Sequence, residues 1–232
     1  MAAARRRVLR RLFWPLVYWL RPDDYEALVD GELIPDRLID ELELDRRVVC
    51  DIGAGSGRFS LIAATRARRV VAVDAVPELL RRLRHQAALR GLDNIETRRG
   101  DFAQLPLEDG SVDVAVACSS FTSRGPLGGS RAIREAERIV RPGGTVAVIW
   151  PQHPRWFAAR GYACVHVSAP AAVRFRDVAT AVELCRTYYS AAAARWVREH
   201  ATAEVPYSVL GVSPPCEVCV KTVAHTAPTP SR

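Results

Sequence analysis

The chain has 232 residues, of which 49% are hydrophobic and 25% are charged. This composition is that of a soluble globular protein, the length fits one domain, and no internal repeat is visible, which excludes a repeat architecture. The formal net charge is +7, but Lys221 is the only lysine. The excess of arginine is therefore more simply a codon-composition bias than a phosphate-binding device.

The first element is a short basic and apolar segment. Arg5–Arg7, Arg10 and Arg11 precede an apolar run from Leu12 to Leu20. As a signal peptide the segment lacks an A-x-A-like cleavage site, and it is too short for a transmembrane helix. The pattern favours an amphipathic element over residues 5–20, which either lies on a membrane surface or closes over an active site.

The most informative stretch is an apolar run, Val48–Ile52, followed by three glycines at alternate positions. It predicts a buried strand, a tight turn and a helix start, because glycine tolerates positive φ and lets a ligand approach the backbone. The spacing does not complete the dinucleotide pattern G-x-G-x-x-G in either register. The pattern present is D-x-G-x-G-x-G, with Asp51 at the strand end, and it predicts a nucleotide-like ligand over the turn.

Four further strands alternate with helices after this turn. The second strand, Arg69–Asp74, ends in an acid that can accept hydrogen bonds from the two hydroxyls of a ribose. The third strand precedes the motif G-D-x-x-x-L-P at residues 100–106. The fourth lies within residues 109–120, and the fifth follows a helix stop, R-P-G-G, at residues 141–144. This alternation predicts parallel pairing with right-handed crossovers.

These ordered motifs resemble those of class I S-adenosylmethionine-dependent methyltransferases over residues 46–151, in particular the branch that acts on quinones, sterols and other small molecules. In that family the acid of the first motif faces the methionine ammonium, and the glycine turn admits the carboxypropyl and ribose parts. The later acids hold the ribose and the adenine, and the fourth strand ends beside the transferring methyl. The resemblance thus implies S-adenosylmethionine as cofactor, with these binding residues: Asp51, Gly53, Ala54, Gly55, Gly57, Asp74, Ala75, Asp101, Phe102 and Ser119.

Each of the three acids also has a purely structural interpretation. Asp51, Asp74 and Asp101 can each serve as a helix cap or a turn residue, because short carboxylates are favoured there. In open α/β sheets, however, ligands bind at the carboxyl ends of the strands, where all three acids are expected to converge. Their joint pattern favours a binding function.

The predicted fold is α/β, with a doubly wound, mostly parallel, seven-stranded Rossmann-like sheet. The resemblance implies that the last strand of this sheet is antiparallel. Tyr162–Val167 is the predicted sixth strand and Cys216–Ala224 the seventh. Residues 1–45 are expected to form a helical lid, as the resemblance implies, and residues 46–225 the cofactor-binding domain. Helices over Val173–His200 and a loop to residue 215 are expected to insert before the last strand, with residues 173–212 as a candidate substrate wall. Residues 226–232 are a predicted frayed tail.

The six cysteines are expected to be mostly buried free thiols, which points to a reducing compartment. Cys216 and Cys219 form a C-x-x-C, but no second pair completes a zinc site. No metal site is therefore predicted.

A general base is optional for methyl transfer, because the sulfonium already activates the methyl group. His153 is the leading candidate base, ahead of Tyr18 and Tyr25 in the lid, although a histidine in a proline-flanked loop is more often a surface residue. The function predicted is cytoplasmic methyl transfer to an O, N or C nucleophile of a small molecule. The alternatives are an RNA methyltransferase that uses the arginine-rich start and a non-catalytic cofactor-binding module. No D-P-P-Y or N-P-P-Y follows the fourth strand, which counts against methylation of the exocyclic amines of nucleic-acid bases.

Overall fold

The structure is a computed structural model that describes residues 17–123, 128–167 and 170–224. The predicted tail and residues 5–16 of the predicted amphipathic element lie outside the described residues. The chain divides into two compact units, one comprising residues 1–35 and 169–215, the other residues 36–168 and 216–232. Residues 36–45, predicted to belong to the lid segment, group with the sheet. No helix in the described part of the chain is long and apolar enough to cross a membrane.

The larger unit is built on a seven-stranded sheet. In chain order its elements are α2 (Asp36–Glu41), β1 (Val48–Ile52), α3 (Arg58–Ala63), β2 (Arg69–Asp74), α4 (Pro77–Leu89), β3 (Ile95–Arg99), β4 (Val112–Cys118), α5 (Gly129–Ile139), β5 (Val140–Ile149), α6 (Pro154–Ala158), β6 (Ala163–His166) and β9 (Glu217–Thr222).

The strand order is β3-β2-β1-β4-β5-β9-β6. Strands β1 to β5 pair in parallel, whereas β9 runs antiparallel to both β5 and β6. The predicted doubly wound sheet with an antiparallel last strand is therefore confirmed. The order reverses at β1, where the chain moves from one half of the sheet to the other, so the ends of β1 and β4 are where a ligand is expected.

The central strands are apolar because both of their faces are covered. The fully buried residues of β1, β2 and β4 include Val49, Val70, Val114 and Val116. Helix α5 covers one face with Ala132, Ile133, Ala136 and Ile139. Such continuous apolar runs are typical of parallel strands between helical layers. Because these strands pair in parallel, their carboxyl ends lie at the same end of the sheet.

The R-P-G-G segment differs from its prediction as a helix stop outside the strand. Helix α5 ends at Ile139, and β5 begins at the next residue, so residues 141–144 lie within a ten-residue strand. The pairing of β4 with β5 shifts register here, from Val112 opposite Val140 to Val114 opposite Thr145. The two glycines thus lie within the strand, at this irregularity in its pairing, instead of preceding it.

The smaller unit contains α1 (Pro22–Val29), β7 (Ala172–Arg174), α7 (Val178–Leu184), a π-helix (Cys185–Tyr189), α8 (Ala191–His200), β8 (Glu204–Pro206) and α9 (Tyr207–Leu210). The helix predicted from Val173 begins only at Val178, because residues 172–174 pair with β8. The loop predicted over Val205–Pro215 likewise contains part of β8 and a short helix.

This smaller unit has its own apolar core. Leu28 of α1 packs in one cluster with buried residues of α7 and α8, among them Ala181, Leu184 and Ala194. The Tyr188 hydroxyl donates a hydrogen bond to Asp24, which joins the π-helix to α1. Residues far apart in the sequence therefore form one packed unit.

The expectation of free thiols is wrong for two of the six cysteines. Cys164 of β6 and Cys219 of β9 face each other across the antiparallel pair and form a disulfide. The thiols that form no disulfide are those of Cys50, Cys118, Cys185 and Cys216. The sequence gives no sign of this pairing because the two strands are 55 residues apart and their register is set by the sheet.

Candidate active site

The glycine turn connects β1 to α3 with a left-handed backbone at each glycine. The φ angles are +76° at Gly53, +55° at Gly55 and +103° at Gly57. The backbone N–H groups of Gly53 and Ala54 both donate to the Val73 carbonyl, at 2.8 and 3.0 Å. These donors are used within the protein, so the turn offers a ligand close approach to the backbone more than it offers free N–H groups.

Gly57 also has a packing role that the sequence did not indicate. A Cβ added there would lie 2.3 Å from Cδ1 of Leu83 in α4. A Cβ at Gly53 would lie 2.6 Å from the Cβ of Ser120. The turn is therefore pressed against α4 on one side and against the end of β4 on the other.

Asp51 is buried beneath the turn. The residue is only 1% exposed, and its Oδ2 accepts a hydrogen bond of 2.6 Å from the hydroxyl of Ser60. Burial raises the pKa of Asp51 to about 7, against the lowering effect of the Ser60 bond. A carboxyl held in this way is poised to ionise when a cation such as an ammonium group arrives.

Asp74 stands at the end of β2 and is oriented by the backbone. Its Oδ2 accepts from Gly55 N at 2.9 Å, and its Oδ1 accepts from Val76 N at 2.8 Å. Each carboxylate oxygen has two lone pairs, so each can accept one further bond from a ribose hydroxyl. Burial raises the pKa of Asp74 above its ordinary value, with the backbone bonds acting in the opposite direction. Ala75, the next residue, is exposed.

Asp101 and Phe102 follow β3. Asp101 is exposed, and its Oδ1 accepts from the backbone N–H of Ala103 at 2.6 Å and of Gln104 at 3.1 Å. Asp101 therefore serves as a turn residue, which is the structural interpretation that the sequence left open. Both backbone N–H groups donate to the same carboxylate oxygen, Oδ1. The half-buried ring of Phe102 meets Phe121 edge to face at 5.4 Å. An aromatic surface therefore lies beside the carboxyl end of β4.

Three side chains meet at the ends of β4 and β5, and the sequence predicted only one of them as a site residue. Arg58 Nη2 donates to Ser119 Oγ at 3.1 Å, and the guanidinium lies 4.9 Å from the ring centroid of Trp150. Ser119 and Trp150 both have a positive φ, +54° and +56°. Such backbone is uncommon outside glycine and concentrates at functional sites.

Only Ser119 of this group was predicted. Arg58 directly follows the glycine motif and Trp150 directly follows β5, and those positions are the signals that could have found them. The tryptophan is 6% exposed, and its Nε1 has no hydrogen-bond partner among the described residues.

The candidate bases lie in different units. His153 is exposed at the N-terminus of α6, three residues after Trp150. Tyr18 and Tyr25 belong to the smaller unit, where their rings meet edge to face at 4.9 Å. Their roles as bases remain predictions.

The strand order and the row of acids at the strand ends define the larger unit as a class I S-adenosylmethionine-dependent methyltransferase domain. The family model described as "Methyltransferase domain" matches residues 50–148 of the chain. S-adenosylmethionine is the cofactor of the class.

Curated relatives are similar to half of the chain or less. A methyltransferase-like protein of Schizosaccharomyces pombe is 31% identical over 119 residues, which cover 50% of this chain and 43% of that protein. A methyltransferase of Mycobacterium bovis is 36% identical over 104 residues, covering 45% of this chain and 40% of the relative. An arsenite methyltransferase of Halobacterium salinarum is 32% identical over 103 residues, 43% of this chain and 26% of the relative. The matched part thus spans less than half the length of these relatives.

Solved structures support the fold. The [4+2]-cyclase SpnF has a TM-score of 0.55 at 18% identity, covering 90% of this chain and 95% of that one. A methyltransferase of Haloferax volcanii, solved with the activator Trm112, has a TM-score of 0.54 at 16% identity, covering 89% and 92%. At these identities the likeness concerns the fold alone.

Proposed function

We propose that this protein transfers the methyl group of S-adenosylmethionine to a small-molecule acceptor with an oxygen, nitrogen or carbon nucleophile. The observation that carries the proposal is the carboxylate of Asp74, which two backbone N–H groups hold at the edge of the glycine turn. A carboxylate fixed there is oriented for the ribose diol, and Asp51 below the turn suits the methionine ammonium. In this arrangement the sulfonium supplies the reactive methyl, and the protein orients both reactants.

A small acceptor is supported by the end of β4. The residues there are Ser119, Ser120 and Phe121, and the Ser120 hydroxyl is committed to the carbonyl of Ile52 at 2.6 Å. No D-P-P-Y stands there to receive a flipped nucleobase amine. The Arg58 guanidinium and the Trp150 ring beside Ser119 are instead suited to a planar or anionic small molecule.

Cofactor binding is tested first, by calorimetric titration of the full chain with S-adenosylhomocysteine and, in parallel, with NAD. Both ligands carry an adenosine ribose, so Asp74 alone does not discriminate between them. Micromolar binding of S-adenosylhomocysteine without NAD binding supports the proposal. Binding of NAD alone, or of neither ligand, contradicts it.

Catalysis is tested separately, because SpnF has this fold and is a cyclase. The protein is incubated with donor labelled in the methyl group and with panels of phenols, quinols, amines and carboxylic acids. Labelled product formed from one panel supports methyl transfer to a small molecule. Cofactor binding without labelled product from any acceptor would favour the non-catalytic alternative.

An RNA acceptor is examined in the same assay with total RNA. An RNA-directed enzyme that uses the basic N-terminus should bind RNA with an affinity that falls steeply as salt rises. Labelled RNA together with that salt dependence would replace the small-molecule proposal.

A cytoplasmic location is also part of the proposal, and the Cys164–Cys219 disulfide is the observation that opposes it. Disulfides are rare in the cytosol because thiol systems keep cysteines reduced there. Trapping of thiols in intact cells, followed by mass spectrometry of the peptides containing Cys164 and Cys219, decides the question. Vesicles with anionic lipids test the predicted membrane contact of residues 5–20.

A further inference from the structure

Three metal-ligating side chains meet at the end of the sheet edge formed by β6 and β9. His166, the last residue of β6, lies directly opposite Glu217, the first residue of β9. Cys216 immediately precedes β9, and its carbonyl accepts a hydrogen bond of 2.6 Å from Val167 N. The backbone thus joins the two strand ends at the level of these side chains.

The ligand atoms of these side chains are close together. One atom from each of His166, Cys216 and Glu217 lies within 4.8 Å of the other two, and the Cys216 sulfur is 3.3 Å from Oε2 of Glu217. Neighbouring residues in a regular strand point to opposite faces. The contact between Cys216 and Glu217 therefore depends on Cys216 lying just outside the regular strand.

The donor set has the chemistry of a zinc-class site. Zn²⁺ binds imidazole nitrogen, thiolate sulfur and carboxylate oxygen, and three protein ligands leave a fourth position for water. Donor atoms around a tetrahedral zinc ion are about 3.5 Å apart. The separations in the structure are at most 4.8 Å, so they exceed this value by at most about 1.3 Å.

The charge balance is also suitable. Without a metal, the Cys216 thiol donates a hydrogen bond to the Glu217 carboxylate, with 3.3 Å between Sγ and Oε2. Binding of a divalent cation replaces this proton, which leaves to solvent. A thiolate and a carboxylate then neutralise the two charges of the ion, with His166 as a neutral ligand.

The two strands that bear the ligands are also covalently joined. Cys164 and His166 are two residues apart on β6, and Cys219 and Glu217 are two residues apart on β9, so the disulfide lies on the same face as the ligand pair. It holds the register that places His166 opposite Glu217. From this arrangement we infer that His166, Cys216 and Glu217 form a binding site for a thiophilic divalent cation of the zinc class.

The proposed metal site lies close to the end of β5, where Trp150 stands beside Ser119. Trp150 N donates to the Glu217 carbonyl at 2.8 Å, so β9 begins beside the end of β5. The inference is nevertheless independent of the proposed function, because it concerns metal binding alone.

The experiment is a titration of the full chain with Co²⁺, followed by displacement with Zn²⁺. Reductant is omitted, and the disulfide is verified by mass spectrometry, so that Cys164 and Cys219 contribute no thiols. One Co²⁺ per chain with a thiolate charge-transfer band, lost on addition of Zn²⁺, is expected. The Cys216→Ser variant should lose the band, and His166→Gln should bind at least about tenfold more weakly.

Matched controls separate the site from general effects of losing a thiol or an imidazole. Cys118→Ser removes another accessible thiol, and His85→Gln removes an exposed histidine on α4, outside the cluster. Both controls should keep the band and the affinity, and circular dichroism verifies that every variant is folded. Absence of stoichiometric binding, or a band that survives in Cys216→Ser, would overturn the inference.

Discussion

Ser60 of α3 donates its hydroxyl to Asp51 of β1 at 2.6 Å, so the first helix after the glycine turn is hydrogen-bonded to the acid before it. Both residues are at most 1% exposed. The bond satisfies one carboxylate oxygen, but it does not overcome the cost of burying the charge, and the pKa of Asp51 is therefore raised to about 7.

This raised pKa predicts a pH dependence of cofactor binding. Below about pH 7 the Asp51 carboxyl is neutral in the ligand-free protein, and it attracts the ammonium of S-adenosylhomocysteine weakly. Affinity should rise as the pH increases from about 6 to about 8, because the ionised carboxylate then pairs with the ammonium. Calorimetry across this range, with the proton release measured in two buffers, checks the prediction.

The Asp51→Asn variant is the control for this effect. It should bind more weakly at pH 8 and should lose the pH dependence near 7. It should also raise the stability of the ligand-free protein at pH 8, because the folded-state pKa lies above the unfolded value and stability is lost as pH rises through it. A variant with the same pH profile as the natural protein would show that another group is responsible.

Asp74→Ala should weaken S-adenosylhomocysteine binding. The substitution removes charged hydrogen bonds to the ribose and also the acceptor of Gly55 N, at a cost of roughly 1.5 to 3 kcal/mol, which is about tenfold to a hundredfold in affinity. Asp93→Ala is the matched control, since this exposed acid precedes β3 and therefore lies near the amino ends of the parallel strands, whereas Asp74 lies at the carboxyl end of β2. Equal affinities of the two variants would remove Asp74 from the site.

Gly57→Ala should destabilise the fold. The new Cβ would lie 2.3 Å from Leu83 Cδ1, at a φ of +103°, so we expect a loss of about 3 kcal/mol in the free energy of unfolding. Gly91→Ala is the matched control, because Gly91 has a φ of +66° but an added Cβ there would have nothing within 4 Å. It should cost about 1 kcal/mol from backbone strain alone. Urea unfolding of both variants measures the difference, and similar losses would argue against the packing role of Gly57.

The disulfide predicts a definite thiol count. Of six cysteines, four form no disulfide in the structure, so titration of the denatured protein with a thiol reagent should give four thiols without reductant and six after reduction. Cys164→Ser should give five under the first condition, because Cys219 loses its partner. Six thiols in the untreated natural protein would contradict the disulfide.

Much of the sheet could be predicted because its signals are local. The apolar run Val48–Ile52 and the R-V-V-A-V-D segment ending at Asp74 each specify a buried parallel strand by their own residues. The motif G-D-x-x-x-L-P likewise marked the end of the third strand. The sequence predicts a helix from Val173 and a loop from Val205, whereas the structure has a three-residue strand at each position. Strands this short are formed through pairing with each other, which the residues of either strand alone do not indicate.

The sequence by itself predicted the parallel strands and the acids at their ends, because these depend on hydrophobic periodicity and on glycine spacing within a few residues. The antiparallel last strand and the cofactor class were implied by the resemblance to class I methyltransferases. Only the tertiary structure decided that Ser60 supports Asp51, that Arg58 meets Ser119 and Trp150, that Cys164 joins Cys219, and that Cys216 lies beside His166 and Glu217. Each of these relationships crosses between elements. Their geometry depends on strand register and helix packing, which no local pattern encodes.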